Sequence, residues 1–214
     1  MNYRKLGNTD LDVSTICLGT MTWGEQNSQE EGFEQMDYAL DQGINFFDTA
    51  PVYGFGHSEE LIGKALKPVR DKVILATKCG LRWDKEALGS IRKDASRNSI
   101  LEEIDQSLKR MDIQVIDLYQ VHWPVRPAML EPWTDGLVAA FEAGLVRSVG
   151  VSNYNVEQMW RTGEALAERG IPLASNQVAY SLLDRGPELN GVLDERVVGG
   201  GGRAALAVES HDKW

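Results

Sequence analysis

Ionisable residues stand at or just after the ends of several apolar runs in this sequence. Asp48 follows the run INFF, Lys78 follows VILAT, and His122 follows VIDLYQV. Tyr53 comes shortly after Asp48, immediately before the glycine-rich turn 54–56. A carboxylate, a lysine, an imidazole and a phenol that lie together can donate a proton to a substrate oxygen. The pattern therefore indicates proton donation beside a hydride transfer.

Tyr53 is the candidate proton donor of this set. A phenol with a pKa of about 10 is a weak acid near neutral pH, but an adjacent ammonium favours the phenolate. Lys78 is the candidate ammonium, Asp48 would keep it charged and oriented, and His122 could donate a hydrogen bond to a substrate oxygen. Each residue also has a purely structural interpretation, because an acid can cap a helix or turn and a histidine can be a hydrogen-bonded core residue. Neither a serine or cysteine nucleophile motif nor a metal-ligand spacing accompanies them.

Short β-rich runs alternate with helical patterns along most of the chain, which predicts six βα-type strands. Strict repetition of this kind leaves an open doubly wound sheet or a closed (β/α)8 barrel. A doubly wound dinucleotide fold would show G-x-G-x-x-G after its first strand, but residues 19–24 read GTMTWG, so the barrel is favoured. The predicted strands contain STICLGT, INFFDTA, VILATKCG, VIDLYQVHW, VRSVGVSN and LASNQVAYS. The predicted helices lie at 29–42, 59–66, 100–111, 130–143 and 156–169.

We therefore predict an α/β fold of the (β/α)8 TIM-barrel type with an N-terminal β-hairpin. The hairpin is the segment YRKLGNTDLDVS, which turns at residues 7–10 and is polar enough to lie outside the core. Ser99 and Glu102 are predicted to form a capping box at the start of the third helix. In such a barrel the chemistry lies at the C-terminal ends of the strands, where the βα loops converge.

Composition argues against several classes of partner. Lys and Arg number 22 against 32 Asp and Glu, and the net charge of -10 argues against nucleic acid or an anionic membrane. No apolar run approaches the ~18 residues of a membrane span, and the first residues lack the apolar core of a signal peptide, so a cytoplasmic protein is expected. Cys17 and Cys79 are the two cysteines, and we expect both to be reduced core thiols.

A series of motifs follows the strand ends in a fixed order. They are Asp48-Thr49-Ala50 with Tyr53-Gly54, Ala76-Thr77-Lys78, Gln120-Val121-His122-Trp123-Pro124, Gly150-Val151-Ser152-Asn153 and Asn176-Gln177. They resemble the successive signatures of the aldo-keto reductase superfamily, and the opening LGNTDLDVSTICLGTMTWG is similar to its bacterial and potassium-channel β-subunit-like branches. The similarity runs from about residue 2 to about residue 190.

The resemblance implies a barrel that binds NADP(H) and reversibly reduces small-molecule carbonyl substrates, aldehydes or ketones, to alcohols. It assigns the catalytic tetrad to Asp48, Tyr53, Lys78 and His122, with Tyr53 as the general acid. It implies no metal. The cofactor-binding residues that it implies are Thr20, Met21, Asp48, Ser152, Asn153 and Gln177. Ser152, Asn153 and Gln177 would hydrogen-bond the nicotinamide carboxamide.

Four aromatic residues are candidates for the wall of the substrate pocket. Trp23, Phe55, Trp83 and Trp123 follow the first four predicted strands, and the long loop 80–98 resembles the variable loop that lies over the site in this family. Aromatic residues in loops are as often simply packed against their neighbours. If these four do line the pocket, they favour an apolar or aromatic carbonyl compound.

The resemblance ends near residue 190. We divide the chain into a partial barrel, 1–190, and a glycine-rich tail, 191–214, whose run 199–202 resembles a linker. About six of the eight βα units are then present, which would leave the first and sixth strands as unpaired edges. Three outcomes are open: a weakly folded fragment, a homo-oligomer in which two chains cover each other's edges, or an open half-ring that binds part of the cofactor. Function is open between a catalyst, a non-catalytic or weakly active NADP(H)-binding regulatory module, and an inactive truncated fragment.

Overall fold

A seven-stranded parallel sheet with helices forms the centre of this protein, in a computed structural model that describes residues 1–84, 87–124, 130–193 and 205–209. The strands are β1 (Tyr3–Lys5), β2 (Asp12–Ser14), β3 (Cys17–Gly19), β4 (Phe46–Asp48), β5 (Ile74–Cys79), β6 (Leu81–Asp84), β7 (Ala87–Lys93), β8 (Ile116–Val121), β9 (Val146–Ser152), β10 (Leu173–Ala179) and β11 (Ala205–Glu209). The α-helices are α1 (Gln29–Asp41), α2 (His57–Leu66), α3 (Arg97–Met111), α4 (Leu130–Glu142), α5 (Val156–Ala167) and α6 (Gly186–Leu189).

The parallel sheet has the strand order β11-β10-β9-β8-β5-β4-β3. From β3 to β10 its strands follow one another around the sheet in chain order, and helices α1 to α5 lie between them in sequence, as a partial (β/α)8 barrel requires. The predicted α/β fold class and the incomplete barrel are therefore confirmed. All six strands that the sequence predicts for the barrel are present.

The seventh strand corrects one prediction about the sheet edges. β11 pairs in parallel with β10, from Ser175 opposite Ala205 to Ala179 opposite Glu209. The sixth barrel strand is thus not an unpaired edge, because five residues of the tail are enough for a strand of ordinary length. The glycine run 199–202, predicted to be a linker, lies outside the described residues.

The N-terminal hairpin β1–β2 forms as predicted, but it does not lie outside the core. Leu6, Leu11 and Val13 are buried and cluster with side chains of the barrel strands, among them Phe46 and Leu118. Most residues of the hairpin are polar and only a few contact the sheet, so its composition did not indicate that it has a buried apolar side. The hairpin residues and the barrel-strand side chains that they contact form a second core cluster. This cluster is separate from the larger one that the sheet forms with its helices.

Local capping explains where the helices begin. Ser28 and Glu31 form a capping box at the start of α1, and Asn155 and Gln158 form another at the start of α5. The predicted capping box of Ser99 and Glu102 is wrong. Helix α3 begins one turn earlier, because the Ser96 hydroxyl accepts the backbone N–H of Ser99.

Candidate active site

Adjacent parallel strands bring the predicted catalytic residues to one end of the sheet. Asp48 is the last residue of β4, Lys78 is the last but one of β5, and His122 directly follows β8. The strand register sets Asp48 opposite Ala76 and Lys78 opposite Gln120. Because neighbouring strands run in the same direction, their C-terminal ends, and the polar residues on them, lie side by side.

Lys78 lies at the centre of this group. Its Nζ lies 2.6 Å from Asp48 Oδ2, 3.0 Å from the carbonyl oxygen of Thr49 and 3.2 Å from the Tyr53 hydroxyl. A lysine ammonium has three donors, so these acceptors match its full capacity. The Lys78 side chain is 0% exposed. Burial of an unpaired charge would be costly, so the Asp48 carboxylate is what makes an ammonium stable at this position.

Tyr53 and His122 stand beside this ion pair. The two rings meet edge to face, with centroids 5.8 Å apart and planes at 87°. Lys78 Nζ lies 5.0 Å from the centroid of the Tyr53 ring. Both Tyr53 and His122 are buried except for a small exposed surface. The structure thus brings together all four residues of the predicted tetrad.

An unusual turn follows Tyr53. Gly54, Phe55 and Gly56 have φ angles of 54°, 51° and 98°, so three successive residues are left-handed. Glycine adopts this region freely, whereas Phe55 is strained there. The turn connects β4 to α2 and so fixes the direction in which the chain leaves Tyr53.

Buried hydroxyl groups lie behind Asp48 and Lys78. Ser58 bonds to the hydroxyls of Thr20 and Thr49, at 2.8 and 3.1 Å, and donates to the Thr20 carbonyl at 2.8 Å. Thr20, in turn, donates from its hydroxyl to the Asp48 carbonyl at 3.2 Å. Thr20 has no exposed surface, so it supports Asp48 from behind and does not line an open cofactor surface as the resemblance implied. Met21, the next predicted cofactor residue, is exposed.

The predicted amide residues form a second network next to the tetrad. Gln177 donates from Nε2 to Asp48 Oδ2 at 3.3 Å and accepts from Gln120 Nε2 at 2.9 Å. Ser152 donates to the carbonyl oxygen of Gln177 at 2.9 Å. Asn153 donates from Nδ2 to the carbonyl of His122 at 3.0 Å and has a left-handed φ of 63°. Ser152, Asn153 and Gln177 therefore lie beside the tetrad.

The four predicted pocket aromatics have different surroundings. Trp23 is 0% exposed, packs against Gly32 and donates from its indole to Gln35, so it does not wall an open pocket. The reason is that its loop folds inward onto α1. Phe55 and Trp83 contact each other edge to face, with ring centroids 5.8 Å apart. Trp123 is exposed, with Lys93 Nζ 5.1 Å from its ring centroid. The predicted loop 80–98 contains the antiparallel pair β6–β7.

Sequence reasoning missed several residues that support the site. Ser58 and Ser175 give no sequence signal, because a serine in a helix or strand has many ordinary roles. Ser175 donates from its hydroxyl to Gln120 Oε1 at 3.1 Å, and Gln120 in turn contacts Gln177. Glu59 accepts hydrogen bonds from the Thr77 hydroxyl at 2.7 Å and from Arg110 Nε at 2.6 Å, and it is fully buried next to the strand that contains Lys78. The sequence signal for Glu59 is its charge within the pattern SEEL, where helical periodicity places it near apolar residues.

Glu103 is a buried acid that contacts the segment just after Lys78. It accepts the backbone N–H of Gly80 at 3.0 Å and the hydroxyl of Ser99 at 2.9 Å. Burial raises the pKa of Glu103 from 4.5 to about 7. Between pH 4.5 and about 7, the folded protein therefore holds a proton on Glu103 that the unfolded chain has lost. The free energy of unfolding falls as the pH rises through this interval.

We expect Glu103→Gln to remove this pH dependence. Glutamine has the shape of the protonated acid and can still accept from Gly80 and donate to Ser99. The parent should lose about 3 kcal/mol of unfolding free energy between the two pKa values, whereas the variant should lose little. Urea unfolding at a series of pH values measures this, with Glu102→Gln, an exposed neighbour on α3, as the control. Equal pH profiles for the parent and Glu103→Gln would contradict the assignment.

The described part of the chain contains neither a candidate metal site nor a helix that could span a membrane. Among residues 1–84, 87–124, 130–193 and 205–209, no group of three or more His, Cys, Asp or Glu could hold a metal ion. No helix in the same part of the chain is both long and apolar enough to cross a membrane.

Several known proteins are similar to this chain in sequence. A model of the Aldo/keto reductase family matches residues 15–194. The chain is 42% identical over 192 residues to the aldo-keto reductase YhdN of Bacillus subtilis, with 86% of this chain and 55% of that protein covered. It is 35% identical over 218 residues to the protein tas of Escherichia coli, with 88% and 63% covered.

A solved structure is also similar to this chain. The holo form of aldo-keto reductase AKR11C1 from Bacillus halodurans superimposes with a TM-score of 0.83 at 32% identity, covering 97% of this chain and 65% of that one. The chain therefore spans between about half and two thirds of the length of the relatives that it matches.

Proposed function

Because the chain belongs to the aldo/keto reductase family, whose model matches residues 15–194, we propose that it reduces aldehydes or ketones to alcohols with NADPH as the hydride donor. The observation that supports this most strongly is the position of Lys78 Nζ, which lies 2.6 Å from Asp48 Oδ2 and 3.2 Å from the Tyr53 hydroxyl. A buried ammonium against a phenol is suited to proton donation, because it stabilises the negative charge that the phenol acquires when its proton leaves.

In the proposed reaction, Tyr53 gives its hydroxyl proton to the carbonyl oxygen of the substrate. The hydride comes from the reduced nicotinamide, which supplies it to the carbonyl carbon when the cofactor is bound. The oxygen of Tyr53 then bears a negative charge next to Lys78, whose own charge is held by Asp48. His122 stands against the Tyr53 ring, where it can donate a hydrogen bond to the substrate oxygen and orient the carbonyl. Solvent returns the proton to Tyr53.

The residues present suit a nicotinamide group. Asp48 Oδ1 is buried and, in the described part of the chain, has no hydrogen-bond partner, so a donor from a ligand would satisfy it. Ser152, Asn153 and Gln177 would hold the carboxamide, since they offer the hydroxyl and amide groups that pair with such a group. Met21 is exposed and would pack on the cofactor.

The test is NADPH oxidation by the purified 214-residue chain with 4-nitrobenzaldehyde, followed at 340 nm, with NADH in a parallel series. We expect aldehyde-dependent oxidation that is faster with NADPH. Cofactor binding measured by calorimetry, with no turnover in a folded protein, would instead support the alternative of a non-catalytic NADP(H)-binding module. Faster turnover with NADH would overturn the cofactor assignment and leave the reaction class intact.

A further inference from the structure

A cavity of about 680 Å³ lies between the segment around Tyr53, strand β6 and helix α3. Its walls come from the turn after Tyr53, strand β6 and the outer faces of α2 and α3. Asp48, Tyr53, Lys78 and His122 are not among the described residues that line it. The proposed reaction, which uses these four side chains, therefore does not account for the cavity.

One wall of the cavity is aromatic. Phe55 and Trp83 pack edge to face with ring centroids 5.8 Å apart, and both rings retain exposed surface. Phe55 is 37% exposed. Its backbone is held in the strained left-handed region. An exposed aromatic pair at the edge of a cavity offers an apolar surface for a flat ligand.

Three cations line the cavity with this wall. Arg82 pairs through Nη2 with Glu102 at 3.0 Å, while its Nη1 is buried with no hydrogen-bond partner in the described part of the chain. Among the described residues, Lys109 is ion-paired with Asp105 alone, in an exposed contact on the same helix. Such a contact contributes little, so Lys109 can turn to another anion at small cost. Arg110, by contrast, is held by the buried Glu59.

Two acids, Glu60 and Glu103, also line the cavity. Glu60 pairs with His57 at 3.5 Å. Glu103 directs both carboxylate oxygens to Gly80 and Ser99. Among the described residues that line the cavity, the three basic side chains outnumber these two acids, in a chain whose net charge is -10. An aromatic wall beside a local positive charge matches a ligand with a flat apolar body and an anionic group.

We propose that this cavity is a second binding site, separate from the reaction centre, for small aromatic carboxylates. The aromatic body lies against Phe55 and Trp83, and the carboxylate pairs with Arg82 and Lys109. Binding here needs no cofactor and no turnover, so the proposal stands or falls independently of the proposed function.

The probe for this site is 2-naphthoate, titrated into the 214-residue chain by calorimetry, with the neutral 2-naphthalenemethanol as the matched ligand. We expect the carboxylate to bind at least tenfold more tightly than the alcohol. The double variant Arg82→Gln/Lys109→Gln should lose that advantage. The control Lys64→Gln/Arg161→Gln removes the same charge at exposed positions outside the cavity and should bind like the parent.

A second pair of variants distinguishes the cavity from the reaction centre. Trp83→Leu should weaken 2-naphthoate binding, whereas Trp123→Leu, next to His122, should not. Circular dichroism and thermal unfolding verify that each variant is folded. The proposal is overturned if the carboxylate and the alcohol bind equally, if Arg82→Gln/Lys109→Gln binds like the parent, or if only Trp123→Leu weakens binding.

Discussion

Replacing Tyr53 by phenylalanine is expected to lower kcat for carbonyl reduction by about two to four orders of magnitude. Phenylalanine keeps the edge-to-face contact with His122, where the centroids lie 5.8 Å apart, and keeps an aromatic ring beside Lys78. The change removes the hydroxyl, and with it the 3.2 Å contact with Lys78 Nζ. The loss should therefore fall on kcat, because the proton donor is missing, while the affinity for NADPH should stay close to that of the parent.

Tyr38→Phe is the matched control for this experiment. Tyr38 lies on helix α1 with 68% of its surface exposed, so loss of its hydroxyl should leave kcat unchanged. Steady-state kinetics with 4-nitrobenzaldehyde and NADPH, alongside cofactor titrations, separates the two effects. A Tyr53→Phe chain that turns over like the parent would exclude Tyr53 as the proton donor.

Replacing Lys78 by methionine should abolish turnover and also destabilise the fold. The side chain of Lys78 is 0% exposed, and its ammonium is the ion-pair partner of the buried Asp48. Methionine has a similar length but leaves the Asp48 carboxylate buried without that partner, which typically costs about 3–5 kcal/mol. Urea unfolding measures the loss of stability, and NADPH oxidation measures the loss of turnover.

The double variant Asp48→Asn/Lys78→Met separates the two consequences. Removing both charges eliminates the unpaired carboxylate, so much of the lost unfolding free energy should return. Turnover should not return, because Tyr53 still lacks the ammonium that stabilises its negative charge. Recovery of activity together with stability would mean that Lys78 has only a structural role.

The sequence predicted the barrel strands and the tetrad because both depend on local patterns. Short apolar runs that end in Asp48, Lys78 and His122 identify strand ends from the chain alone. Parallel pairing then brings those strand ends together, which places Lys78 close enough to Asp48 for their 2.6 Å contact.

The features that the sequence missed depend on contacts between distant segments. Ser58 bonds to Thr20 across 38 positions, and no local pattern marks either hydroxyl as buried. The hairpin around Leu11 was predicted to lie outside the core, because its burial comes from barrel strands far along the chain. Strand β11 was missed for the same reason, since only its pairing with β10 makes residues 205–209 a strand.

The most direct test of the account follows the hydrogen that the reaction transfers. The parent chain is incubated with 4-nitrobenzaldehyde and with NADPH that carries deuterium in place of both hydrogens at C4 of the nicotinamide, and the product is analysed by mass spectrometry and NMR. The account predicts 4-nitrobenzyl alcohol with deuterium on its carbinol carbon, formed by the parent and by Tyr38→Phe but nearly absent with Tyr53→Phe. Alcohol without carbon-bound deuterium, or no alcohol from folded parent chain with bound NADPH, would contradict direct hydride transfer at this site.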